Sequence, residues 1–310
     1  MDVEPEQSTP AFKPLGTFEF EPTACPVCGA HEVGKRLTKT VQGVETHFGV
    51  CTSCGTLYTN PRLTVESLRA LYATADFFEG KEHNFNYYSF LAGEEYLRRT
   101  ARGRIQRFSK FAKGKRLLEV ASAAGFFLAE AKAAGYECEG IEFSGPMAAY
   151  ASDRWGVPVT GGSIEEIDLE PETYDVIASW GVMTILRDPK AVMAKFHKAL
   201  KPGGVWAFNT YYSKSLWGRA FGKNWYILVP NTSQIHNDPT LRRLIDEAGF
   251  DLVLKVRDRP YASVERLIFV FLSHIPGGVH DKFFERIHFL NRFVIPFRAP
   301  DTYEYVCVKR

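Results

Sequence analysis

From residue 116 to the end, apolar positions fall in short runs that alternate with segments of helical spacing. RLLEVA is a strand, GFFLAEAKAAG a helix closed by Gly135, YECEGIEF a strand and GPMAAYASDRWG a helix. VPVTGG and YDVIASW are strands, DPKAVMAKFHKALKPGG is a helix capped by Asp188, and VWAFNTY is another strand. NDPTLRRLIDEAGF adds a helix with Asp238 and Pro239 at its start, and FDLVLKVRD and YEYVCVKR are the last two strands. Continuous apolar strands separated by amphipathic helices predict an α/β fold: a doubly wound, mostly parallel sheet with right-handed crossovers and helices on both faces.

The first third of the chain reads differently. VESLRALYATADFF has helical spacing with Thr64 as N-cap and Ser67 in the first turn. EYLRRTARGRIQRFSKFA is a second helix whose many arginines most simply form a solvated face. Between them, GKEHNFNYYSF is polar and aromatic and is either a lid or a plain loop. Tyr87 and Tyr88, like Tyr211 and Tyr212, read first as ordinary aromatic packing, and strand alternation turns one of the second pair inward. The apolar, aromatic stretch between the last two strands is either a pair of helices packed on the sheet or a wall of an apolar pocket. The expected organisation is a flexible tail over 1–22, a cysteine module over 23–60, a helical lid or linker over 61–112, and the α/β domain over 113–310 with an insertion at 264–299.

The module takes its character from CPVCG and CTSCG, which place Cys25 and Cys28, then Cys51 and Cys54, in two turns with 22 residues between Cys28 and Cys51. Each CxxCG turn points two thiolates to one side, and two such turns make a closed tetrahedral site for structural zinc. The hairpin expected between them has little apolar bulk, so metal rather than burial would stabilise it. A redox dithiol or a metal-free pair of turns are the competing readings. Four cysteine ligands leave no open position, so the metal is expected to do no chemistry. His31 and His47 are expected on the surface.

Charge narrows the partners. Lys+Arg total 38 against Asp+Glu 36, without the basic excess of a nucleic-acid binder. The longest apolar run of the second half, LIFVFLSHIP, is about half a bilayer crossing, so no membrane span is expected. The start has no signal-peptide pattern. Cysteines used in CxxC pairs and singly in strands, at Cys138 and Cys307, fit a reducing cytoplasm. Oligomeric state is not legible.

The candidate chemistry sits in LLEVASAAGFF. Glu119 closes the first strand of the α/β domain, and Ala121, Ala123 and Gly125 form a small-residue turn before the next helix. Glu142, 23 residues beyond Glu119, ends the second strand, where a carboxylate can accept hydrogen bonds from both hydroxyls of a ribose. Together these features indicate an adenosine-containing cofactor. A pyrophosphate would want a GxGxxG turn, whereas an acidic strand end repels phosphate and attracts an ammonium, which favours a methionine tail.

These residues resemble the class I S-adenosylmethionine-dependent methyltransferases, in particular those with an N-terminal four-cysteine zinc ribbon. The likeness is carried by CPVCG, CTSCGTLYTNPR, LLEVASAAGFFLAEAKAAGYECEGIEFS, YDVIASWGVMTIL, LKPGG and TLRRLIDEAGF. It implies a seven-stranded Rossmann-like sheet, Glu119 and the turn from Ala121 to Gly125 at the methionine part, and Glu142 at the ribose. It further implies Ser163 and Ile164 at the adenine edge, and Trp180 and Gly181 beside the sulfonium, although Trp180 reads equally as a core aromatic. Two departures stand out. The family turn is usually ExGxGxG, with Ala121 and Ala123 here in place of glycines, and Gly181 to Ile185 replace a common His-x-x-Glu-His.

The expected function is methyl transfer by in-line displacement to a small-molecule acceptor, a sugar or natural product among others, at oxygen or nitrogen. His236, after the fifth strand, is the candidate catalytic base. Two other readings remain: a methyltransferase fold that binds without turnover, motivated by the altered turn, and a nicotinamide oxidoreductase, disfavoured by the missing phosphate turn. Alanine fits wherever φ is negative, so the turn keeps its path if Ala121 and Ala123 do not need φ above zero, and the added methyl groups imply a tighter or shifted methionine pocket.

Overall fold

The structure, a computed structural model, describes residues 18–41, 43–73, 90–275 and 281–310. The first part contains β1 (Phe20–Glu21), β2 (Val33–Val41), β3 (Val44–Cys51), β4 (Leu57–Thr59), β5 (Arg62–Leu63) and α1 (Val65–Tyr72). Thr64 caps α1 as expected, its Oγ1 accepting from the N–H of Ser67. β1 pairs antiparallel with β5, so the tail predicted over 1–22 does not extend across residues 20 and 21. Tyr87 and Tyr88, and most of the segment read as lid or loop, lie outside the described residues.

The α/β part follows the predicted rhythm. It runs α2 (Glu94–Phe108), β6 (Arg116–Val120), α3 (Phe126–Ala133), β7 (Glu137–Glu142), α4 (Gly145–Trp155), β8 (Val159–Gly161), β9 (Tyr174–Trp180), α5 (Pro189–Ala199) and β10 (Leu200–Tyr211). It continues with α6 (Leu216–Phe221), β11 (Gln234–Ile235), α7 (Asp238–Glu247), β12 (Phe250–Arg257), β13 (Tyr261–Ser263), α8 (Val264–Leu272), α9 (Asp281–Ile287), β14 (Val294–Pro296) and β15 (Thr302–Lys309). Asp188 caps α5, accepting from the N–H of Ala191, and α7 is capped by Asn237 with Asp238 in its first turn.

Seven strands form one sheet in the order β12-β15-β10-β9-β6-β7-β8. Only β15 runs against its neighbours, β10 and β12. Strand alternation sends Leu118, Ile177 and Trp206 to one face, against Val192, Phe196 and Leu244 of α5 and α7. It sends Leu117, Val176 and Val205 to the other, against Ile105, Phe108 and Leu128 of α2 and α3. From β6 the chain first winds outward through β7 and β8, then returns to place β9 on the other side of β6. The crevice at the carboxyl ends of β6 and β9 is therefore the switch point where such sheets bind ligands.

Two expectations change. The arginines of α2 are not simply solvated: Arg107 pairs with the fully buried Glu304, Nε to Oε1 at 2.9 Å, and Arg104 with the buried Asp258 at 3.0 Å. The cysteine module is also not a separate body. β11, which follows β10 in the chain, joins its sheet in the order β11-β4-β3-β2, and Cys25, Val27, Cys51 and Tyr58 share one apolar core with Val182, Met183 and Leu241.

Candidate active site

Glu119 lies on β6 opposite Gly140 of β7 and Ala178 of β9, two small neighbours that leave room for its side chain. It is buried, its Oε2 has no hydrogen-bond partner, and its pKa is raised well above the ordinary carboxyl value. Burial is the main cause and the nearby Glu142 charge adds to it, while Arg104 opposes. An orphaned buried carboxylate oxygen at a cavity wall is a receptor for a cationic or N–H-bearing group.

The turn after β6 does not meet the condition of negative φ at its alanines. Ala121 and Ala123 both adopt left-handed backbone, with φ of 57° and 45°, and Gly125 follows at 74°. Each alanine in that region costs roughly 1–2 kcal/mol. The conformation is held from outside: Ser122 N–H donates to the Ile141 carbonyl at 3.1 Å, and Ala123 N–H donates to Glu142 Oε2 at 2.7 Å. Gly125 has a second constraint, because a Cβ there would lie 2.8 Å from Trp155 Cδ1. Both alanines line the cavity.

Glu142, at the end of β7, accepts the second of its two hydrogen bonds from Ser144 N–H at 2.9 Å, on Oε1. Burial raises its pKa and those N–H groups pull it back down. Each oxygen keeps a further lone pair for a ligand hydroxyl.

These groups surround a cavity of about 400 Å3. Ser163, Ile164, Trp180 and Gly181 also line it, so eight of the nine predicted cofactor residues border one space; Gly125 does not line it and packs instead against Trp155 and Ala151. The lining also includes apolar side chains, among them Val65 and Leu68 of α1, Ile185 and Ile227. Three residues escaped sequence reading. Asn209 accepts from Gly181 N–H at 2.7 Å and donates to Asp258 at 2.9 Å, while Arg104 stacks over Trp180, 4.4 Å from the ring centroid. This network fixes the Trp180–Gly181 edge. Its members are spread over α2, β10 and the end of β12, and no local pattern links them.

His236 is a correction. It is 1% exposed, it does not line the cavity, and both ring nitrogens lack partners. Burial pushes its pKa down to about 4. The physical reason is the pairing of Gln234 and Ile235 with Tyr58 and Leu57, which draws this segment towards the cysteine module. The described cavity lining contains no histidine; its proton-exchanging groups include Glu119, Glu142, Glu165, Tyr72 and Tyr211. Glu165 already accepts from the N–H groups of Arg187 and Asp188, and the Tyr211 hydroxyl meets that of Tyr226 at 2.7 Å.

The four predicted metal ligands converge. The sulfurs of Cys25, Cys28, Cys51 and Cys54 lie within 4.8 Å of one another, with Cys25–Cys54 at 3.6 Å and Cys28–Cys51 at 3.5 Å. A zinc–sulfur bond of about 2.3 Å gives a tetrahedral sulfur–sulfur edge of about 3.8 Å, so the donor set fits zinc. His31 and His47 are exposed and outside the cluster. The cluster is wired to the cavity: the Cys54 carbonyl accepts from Asn237 Nδ2 at 2.9 Å and Thr240 Oγ1 at 2.6 Å. Thr59 N–H donates to the Ser233 carbonyl, and Ser233 N–H donates to the carbonyl of Thr184, which lines the cavity.

Residues 94–255 match the methyltransferase domain family, and the chain belongs to it. It is thus an enzyme of the S-adenosylmethionine-dependent methyltransferases, with the expected seven-stranded Rossmann-like fold. Its fold is similar to that of a protein from the Haloferax volcanii complex containing the Trm112 methyltransferase activator. That match has 15% identity and a TM-score of 0.50, over 69% of this chain and 90% of that one. It is also similar to an S-adenosylmethionine-dependent methyltransferase from Archaeoglobus fulgidus, at 20% identity and a TM-score of 0.49, over 72% of this chain and all of that one, 100%. No curated protein matches the chain.

Proposed function

We propose that the protein transfers a methyl group from S-adenosylmethionine to a small-molecule acceptor with a partly apolar surface, at oxygen or nitrogen. The observation that carries this reading is the single cavity lined by Glu119, the left-handed turn, Glu142 and apolar side chains that include Val65, Leu68, Ile185 and Ile227. Glu119 would hold the ammonium of the methionine part, Glu142 the ribose hydroxyls, and Ser163 with Ile164 the adenine edge. Trp180 and Gly181 would border the sulfonium, and Gly125 would keep the turn closed on α4. When bound, the cofactor supplies an electrophilic methyl group. The chain's contribution is alignment, since an in-line displacement gains most from holding the acceptor at near-attack distance and excluding water.

Two left-handed alanines favour function over a decayed binding fold. Strain of this kind persists where the surroundings over-determine it, and such places cluster at functional sites. The four cysteines would bind one structural zinc, bracing the acceptor wall through β4 and β11, and a reducing cytoplasm keeps their thiols available to it. Among the described residues no helix is long and apolar enough to cross a membrane.

Incubation with isotopically labelled S-adenosylmethionine and a panel of small hydroxyl and amine acceptors tests the reading. Labelled product with at least one acceptor, lost in Glu142→Ala, supports it. Binding of S-adenosylmethionine without transfer to any acceptor would favour the binding fold instead.

A further inference from the structure

Among the described residues, the exposed large apolar side chains cluster in one stretch of the sequence. Of eight large apolar side chains exposed among the described residues, six lie between residues 271 and 295. Phe271 is 53% exposed, Phe289 57%, Phe293 46% and Ile295 42%. They sit in the insertion read from sequence as sheet packing or pocket wall, yet of its described residues only Arg266 lines the main cavity. A patch of this kind marks an interaction surface.

The elements that carry it pack on one another. Phe269 of α8 meets Phe284 of α9 edge-on with centroids 5.4 Å apart, and His288 Nδ1 lies 3.4 Å from Glu265 Oε1 of α8. β13 and β14 pair antiparallel, bringing Ile295 opposite Ala262. Arginines are interleaved with the aromatics. Arg286, Arg292 and Arg298 are exposed, and the Arg292 guanidinium lies over the Phe293 ring, 4.9 Å from its centroid. From 283 to 298 the sequence carries these three arginines and one acidic residue, Glu285, while Glu95 of α2 lines the same hollow as Arg292.

We propose that this face is a docking surface for an anionic lipid bilayer. Exposed phenylalanines suit the boundary between headgroups and acyl chains, and arginines beside them suit lipid phosphates, which they bind in bidentate fashion. A second copy of the chain is a poorer occupant, because a twofold contact would set these arginines against each other. No described helix is long enough to span, so the chain would lie on the membrane. The face also adjoins the active cavity. Phe289 and Arg292 share a hollow with Glu95 and Tyr96, and neighbouring Phe90 and Leu97 line the main cavity. Docking needs only this surface, whether or not the cavity transfers methyl groups.

Flotation of the full chain with vesicles tests the proposal. The chain should float with phosphatidylglycerol vesicles, not with phosphatidylcholine alone, and should be released by salt. Arg286→Gln and Arg292→Gln should each weaken binding about fivefold, and Phe289→Ser combined with Phe293→Ser should abolish it, with S-adenosylhomocysteine binding and melting temperature unchanged. No flotation with phosphatidylglycerol, or flotation that survives the double variant, overturns the proposal. So does sedimentation showing a dimer that the double variant dissociates, since the face would then be a self-association surface.

Discussion

The backbone N–H of Ala123 donates to Glu142 Oε2 at 2.7 Å, tying the turn after β6 to the end of β7. The bond does two things at once. It orients the carboxylate assigned to the ribose, and it helps hold a left-handed alanine that an isolated peptide would avoid.

Ala121→Gly and Ala123→Gly therefore act on strain first. Glycine removes the left-handed penalty and adds freedom to the unfolded chain, so each variant should match the wild type or exceed it by up to about 1 kcal/mol. Ala129→Gly, inside α3, should instead cost about 1 kcal/mol. Urea unfolding reads all three. Equal losses at all three positions would contradict left-handed alanines.

Glu119 predicts a pH dependence of the apo protein. Its folded pKa lies above the ordinary 4.5, so the native state binds more protons than the unfolded chain in that interval. The associated stability is fully present below pH 4.5 and is lost as pH rises through the raised folded value. Glu119→Gln removes this loss. Without ligand the variant should be the more stable protein at neutral and alkaline pH, while its affinity for S-adenosylhomocysteine falls at least about tenfold, as expected for a lost charged partner. Melting curves across pH, paired with titration of the product, separate the two effects; unchanged affinity would remove Glu119 from the cofactor site.

For His236 the sign is opposite. Its pKa falls from 6.5 to about 4 on folding, so stability is present above 6.5 and is lost as pH drops towards 4. The full difference is on the order of 3 kcal/mol. His236→Gln should flatten this acid limb and leave methyl transfer near the wild-type rate. A large fall in kcat with unchanged stability would restore the histidine as catalytic base.

The cysteine cluster predicts one zinc per chain. Cys51→Ser should lose the metal and lower the melting temperature, because the module shares the main apolar core. Asn237→Ala, which removes the α7 cap and the bond to the Cys54 carbonyl, should cost about 1–2 kcal/mol while zinc stays bound. Metal analysis with thermal unfolding distinguishes the two. A Cys51→Ser protein with full zinc content would contradict four-cysteine ligation.

The sheet was legible because its signals are local. RLLEVA, YDVIASW and YEYVCVKR are apolar runs bounded by turns, and Thr64 and Asp188 are side chains whose chemistry starts helices. The shared cavity of Glu119 and Glu142 was legible because they lie near the ends of adjacent strands of one βαβ unit. What stayed hidden is non-local or conformational. Alanine does not announce a positive φ, so the backbone of the turn was not legible. The pairing of β11 with β4 joins residues about 175 positions apart, and without it His236 looks like a loop residue facing the substrate. Arg104 was one arginine among many until Asp258 and Trp180 closed around it.

Calorimetric titration of the zinc-loaded chain with S-adenosylhomocysteine tests the central claim most directly. The predicted result is saturable one-to-one binding that raises the melting temperature and is weakened by Glu142→Ala. Absence of heat and of any thermal shift at millimolar ligand, in protein shown to be folded, would contradict a nucleoside site in this cavity.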